Sequence, residues 1–109
     1  MRAILDEFNH FISPTLFEYE IANVLLKIAK CKNLDISGVQ NLFKAVNAMG
    51  IRLEIMEPPK LFLCAIKTGL TAYDSAYFLL ARKNRCPLAT FNKHLRKVAI
   101  ENGIKVVSN

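Results

Sequence analysis

Short apolar, strand-like stretches alternate with helix-like stretches along most of the 109 residues. HFISP is an apolar run stopped by Pro14, which predicts a brief strand. TLFEYEIANVLLKIAKC places apolar residues at 16, 17, 21, 24, 25 and 28, which is helical spacing. DISGVQNLFKAVNAMG opens on a capping Asp, ends in glycine and carries a stripe of Val39, Leu42, Phe43 and Val46, so a second helix follows. IRLEIME alternates Ile51, Leu53 and Ile55 with charged residues and reads as a strand with one wet face. Pro58-Pro59 ends it, KLFLCAIKTG is a helix closed by Gly69, and TAYDSAYFLLARKNR is the next helix. CPLATF is wholly apolar, as a strand buried on both faces must be. NKHLRKVAIENG is a helix ending at Gly103, IKVVS is a final strand, and RAILDEF at the start reads as a short helix or the tail of one. Such alternation predicts one α/β domain over residues 1–109, with a mostly parallel sheet and right-handed crossovers. In such sheets ligand sites gather at the carboxyl ends of strands, and LATFN is one such end.

Composition narrows the class. Apolar residues at 52% and charged residues at 22% fit a globular fold rather than a disordered one. No apolar run is long enough to span a bilayer and the start lacks a signal-peptide pattern, which predicts a cytoplasmic protein with no membrane partner. Cys31, Cys64 and Cys86 are an odd number without metal-knuckle spacing, and read as isolated reduced thiols, mostly core-filling. The net charge is +6, and Arg82, Lys83, Arg85, Lys93, Arg96 and Lys97 fall within sixteen residues with no acid among them. Two readings fit that cluster: a solvated surface of two neighbouring helices, or a polyanion-binding face. His10 and His94 read as surface residues.

The acids on core-facing positions are the candidates for chemistry. At about 100° per residue, Glu20 borders the apolar arc of its helix, whereas Glu18 points about 160° away from it into solvent. Asp74 lies in the core-facing stripe beside Leu70, Tyr77, Phe78 and Ala81. Thr71-Ala72-Tyr73-Asp74 also has capping-box spacing, so local sequence offers both a cap and a ligand. A parallel sheet brings helix N-termini and strand ends to one edge, where Glu20 and Asp74 can converge. Clustered carboxylates need a cation, and hard oxygen ligands suit Mg²⁺ or Mn²⁺, which activate water against a phosphodiester.

FISPTLFEYEIANVLLK, GLTAYDSAYFLLARKNRCPLATFNKHLRKVA and the closing GIKVV together resemble a PIN domain, close to the VapC-like toxin ribonucleases. The resemblance covers nearly the whole chain, in order. It implies a three-layer α/β/α sandwich, a divalent-metal site of about four acids, and an endoribonuclease held in check by an antitoxin. By position it makes Glu20, Asp74 and Asn92 the catalytic and metal-binding set, with Asn23, Thr71 and Thr90 beside them. Lys93, Arg96 and Lys97 would steer the RNA backbone.

Two departures bear on activity. After LAT the family motif ends in Asp where this chain has Asn92, which offers one neutral oxygen in place of two charged ones. The family also begins with a central strand carrying its first metal-binding Asp, and ILDEFNHFISP corresponds to the approach to the second strand. Asp6 sits in the wrong element to substitute. The expectations are a PIN-like sheet lacking its central strand, weak Mg²⁺ or Mn²⁺ binding, and impaired or lost nuclease activity. The alternatives are an active enzyme, if Asn92 suffices or the true start lies upstream, and a non-catalytic module that binds RNA or an antitoxin. Without the central strand, HFISP and LATF are expected to pair directly or to be bridged by a second copy in a homodimer.

Overall fold

The computed structural model describes residues 2–5 and 11–107. Its elements are β1 (Arg2–Leu5), β2 (Phe11–Pro14), α1 (Phe17–Lys32), α2 (Ile36–Ala48), β3 (Arg52–Glu54), α3 (Pro58–Thr68), α4 (Ala72–Asn84), β4 (Leu88–Thr90) and α5 (Lys93–Glu101). The fold is mixed α/β. Among the described residues the strands form one sheet in the order β3-β2-β1-β4.

The gap expected at the centre of the sheet is filled, and from within the chain. RAIL is strand β1, not a helix, and it lies between β2 and β4. It runs antiparallel to both, with Ile4 opposite Ile12 on one side and Leu88 on the other. A direct pairing of HFISP with LATF, or a second copy between them, is therefore not needed to satisfy the sheet. The direction of β1 follows from chain length. Only residues 6–10 separate it from β2, whereas a parallel pairing needs a crossover of about a dozen residues or more. The expected mostly parallel sheet is thus a mixed one. β2 and β3 pair in parallel, with Ile12 opposite Arg52 and Pro14 opposite Glu54, and β1 is set against the grain. Asp6 and His10 lie outside the described residues.

The core is built around α4, whose Ser75, Ala76, Tyr77, Phe78, Leu80 and Ala81 are buried against β1, β2, β4, α3 and α5. A helix buried on most of its circumference explains why its apolar residues are not confined to one stripe. Ile4, Ile12, Leu88 and Leu95 complete the centre and are almost wholly excluded from solvent. Cys64 and Cys86 join the core, and Cys31 is exposed. The expected last strand is reduced to an isolated parallel bridge between Leu88 and Val106. Ile55 falls just beyond β3 and faces solvent.

The α1–α2 hairpin is the poorly covered part of the molecule. Leu25 is the buried residue of α1, and α2 has none. Helix α2 is opened by Asp35, whose side chain accepts the Gly38 N–H at 2.8 Å, as a capping Asp should.

Candidate functional site

β2, β3 and β4 all point one way, so their carboxyl ends share an edge, and β1 starts there because it runs in reverse. Arg2 is the residue opposite Thr90 in that register. The first turns of α1 and α4 reach the same edge, bringing Glu20 and Asp74 within reach of Arg2.

The Arg2 guanidinium holds both acids. Its Nη1 donates to Asp74 Oδ1 at 2.9 Å, and its Nη2 donates to Glu20 Oε2. The Arg2 and Asp74 side chains are each only 15% exposed, whereas Glu20 is 37% exposed, so the contact with Asp74 is the less screened of the two. The same guanidinium lies over the Tyr77 ring, 4.2 Å from its centroid. The Tyr77 hydroxyl donates to Glu20 Oε1 at 3.3 Å and accepts from Ser13 Oγ at 3.4 Å. Burial pushes the Tyr77 phenol above its ordinary value; the Ser13 bond opposes this, Glu20 adds to it and Arg2 opposes it. One polar network therefore ties β1, β2, α1 and α4 together.

Above it opens a cleft of about 620 Å³ lined by Arg2, Leu16, Tyr19, Glu20, Asn23, Thr71, Tyr73 and Asp74. Glu20, Asp74, Asn23 and Thr71 thus come together as expected. Glu18 is exposed, also as expected. Thr71 caps α4 by accepting the Asp74 N–H at 3.0 Å, the forward half of the capping box, while the Asp74 carboxylate turns to Arg2. Cap and charged partner coexist at this position, and the partner is an arginine.

Asn92 is placed differently from the other two candidates. It is the N-cap of α5, and its Oδ1 accepts the Leu95 N–H at 2.9 Å. Its own N–H donates to Thr90 Oγ1 at 3.1 Å, and Thr90 is buried. The oxygen proposed from the sequence as a ligand is committed to the helix start.

The six clustered cations divide between the end of α4 and the start of α5. α5 begins at the carboxyl edge, with Lys93, Arg96 and Lys97 in its first turns. Arg82, Lys83 and Arg85 sit at the far end of α4, about 12–16 Å along the helix from Asp74 at 1.5 Å per residue. There Lys83 pairs with Glu54 at 3.7 Å, and Arg82 stacks on Phe78 at 5.2 Å.

Arg2, Ser13 and Tyr77, and the exposed tyrosines 19 and 73, were not legible as site residues. Arg2 belongs to a stretch whose Ala, Ile, Leu, Asp and Glu suit a helix as well as a strand. The tyrosines carried one signal, their places next to Glu20 and Asp74 in helices that meet at a sheet edge.

The residues present do not fit Mg²⁺ as arranged. That ion asks for near-octahedral oxygen donors at about 2.0–2.1 Å, whereas Glu20 and Asp74 each present an oxygen to Arg2, and Asn92 Oδ1 faces a backbone N–H.

No family model matches the chain, and no curated protein matches it either. Among solved structures it is similar to the crystal structure of PAE2754 from Pyrobaculum aerophilum, at 27% identity and a TM-score of 0.61, covering 86% of this chain and 69% of that one. Among the described residues no helix is long and apolar enough to cross a membrane.

Proposed function

We propose that the chain is a VapC-like PIN-domain protein, three-layered in its full arrangement, whose acidic site has lost its Mg²⁺- or Mn²⁺-dependent ribonuclease activity and whose carboxyl edge binds single-stranded RNA. The convergence of Glu20 and Asp74 on one guanidinium at that edge carries this reading. Two acids from separate helices meet at one sheet edge, and Arg2 already meets their charge. RNA binding is supported by the exposed Tyr19 and Tyr73 lining the cleft and by Lys93, Arg96 and Lys97 in the first turns of α5, which starts at the same sheet edge. Aromatic faces stack on bases, at roughly 1–3 kcal/mol per base, while the cations hold phosphates. The exposed apolar residues of α1 and α2 suit a protein partner, either a second copy or an antitoxin-like chain.

The test is RNA retention and cleavage side by side, with and without millimolar Mg²⁺ or Mn²⁺. The expected result is retention of single-stranded RNA that fades as salt rises, with no cleavage under either metal. Metal-dependent cleavage that Asp74→Asn abolishes would favour the active-enzyme reading instead. No retention at low salt would remove the RNA-binding reading.

A further inference from the structure

The acid pair poses an electrostatic problem that the fold itself solves. Glu20 and Asp74 stand in the first turns of α1 and α4, which leave unpaired N–H groups and a partial positive charge there. Helix ends alone favour a carboxylate only modestly, and Asp74 is largely removed from water. Two such carboxylates facing one cleft repel each other unless a cation lies between them. The planar guanidinium, with five fixed donors, suits two carboxylates approaching from different helices better than a single ammonium would. β1 supplies it: its first described residue projects a side chain that meets both acids and lies over the Tyr77 ring. The tyrosine floor closes the guanidinium's face, and Tyr77 in turn hydrogen-bonds the second oxygen of Glu20. The reversed direction of β1 is what makes this possible, since it brings the start of the strand, and not its end, to the carboxyl edge.

We propose that Arg2 is the site's own cation: it takes the place a divalent metal would need and excludes metal from the Glu20–Asp74 pair. This concerns the same cleft as the proposed function but rests on the ion-pair geometry alone, whatever RNA does there. Arg2 acts here as a positioning residue, holding β1 to the starts of α1 and α4.

Sign reversal in a mutant cycle separates this role from ordinary packing. In the native chain Asp74→Asn leaves Arg2 short of a partner and lowers the thermal midpoint. In the Arg2→Met background, which keeps an apolar stem over Tyr77, the same Asp74→Asn relieves repulsion and raises the midpoint. Arg2→Met alone should lower the midpoint by about 10 °C or more, as loss of one partner of a largely buried charge cluster does in a domain of this size. Millimolar Mn²⁺, with KCl as an ionic-strength control, should leave the native midpoint unmoved and raise that of Arg2→Met. Mn²⁺ paramagnetic resonance on the native chain reads the exclusion directly, even if Arg2→Met does not fold, and the expected result is an undiminished free-ion signal. The proposal is overturned if the native chain binds Mn²⁺ in a way that Asp74→Asn removes. It is equally overturned if Asp74→Asn lowers the midpoint in both backgrounds, which would make Asp74 a helix-start residue with no need of Arg2. RNA retention is scored separately, so loss of RNA binding with the mutant cycle intact would refute the proposed function and leave this assignment standing.

Discussion

Asn92 shows how one side chain can be read correctly for chemistry and still be placed in another role. Its carbonyl oxygen is a competent ligand atom, but the start of α5 needs an acceptor for the Leu95 N–H and takes it. Asn92→Ala should cost about 1 kcal/mol of folding stability, the usual loss for a removed N-cap, and Asn92→Asp should cost little, because aspartate caps as well. Chemical denaturation of the two variants checks this; equal losses would mean that the cap bond contributes nothing. Tyr77 yields a second residue-scale expectation. Burial raises its phenol above the ordinary value of 10.0. Folding therefore favours the protonated phenol, and the stability this contributes is intact below pH 10 and fades as pH rises through the folded value. Urea midpoints at neutral pH and near pH 11 should show the native chain falling further than Tyr77→Phe, so the gap between them narrows. Parallel falls would show that Tyr77 does not titrate out of a protected environment.

At the scale of elements, β1 and α2 mark the opposite extremes. β1 is paired on both sides and carries Ile4, which is fully buried. α2 has no buried residue. Ile4→Ala should cost about 2–5 kcal/mol, as core truncations do, whereas substitutions along the outer face of α2 should fall within about 0.5 kcal/mol. Hydrogen exchange offers the same contrast without mutation. The Ile4 amide should exchange only through global unfolding and α2 amides through local opening; fast exchange at Ile4 would place β1 outside the sheet. This contrast also explains what the sequence disclosed. Helices α1 to α5 and strands β2, β3 and β4 announce themselves by period, turn residues and caps. β1 does not, because Ala, Ile and Leu followed by Asp and Glu have no period of their own. What makes that stretch a strand is the demand of two short buried neighbours for hydrogen-bond partners, a tertiary effect that local propensity cannot register. The acid pair was legible for the same reason that β1 was not: Glu20 and Asp74 betray themselves by standing on apolar faces of strongly periodic helices, whereas Arg2 stands at the start of a stretch with no period.

The shape of the whole molecule reflects the uncovered hairpin. Its radius of gyration is 15.0 Å and its extents are 44 × 29 × 27 Å, against about 13 Å expected for a compact domain of this length. The elongation has a chemical counterpart. Val24 and Ile28, one turn apart on α1, are exposed, as are Leu26, Leu34 and Phe43. A groove between α1, α2 and β3, lined by Phe17, Ile21, Phe43, Val46 and Leu53, lies alongside. Val24 and Ile28 share one face of α1, and apolar side chains exposed on a helix face favour association. The filled sheet removes the first reason for expecting a homodimer, and the hairpin supplies another. Sedimentation at increasing protein concentration should therefore show assembly beyond the monomer. Val24→Glu combined with Ile28→Glu should return the chain to a monomer while its thermal midpoint, measured at low concentration, shifts little, because both residues are solvent-facing within one chain. Assembly that survives the double substitution would move the contact to another face. A monomer at every concentration would leave the hairpin free for a different protein partner.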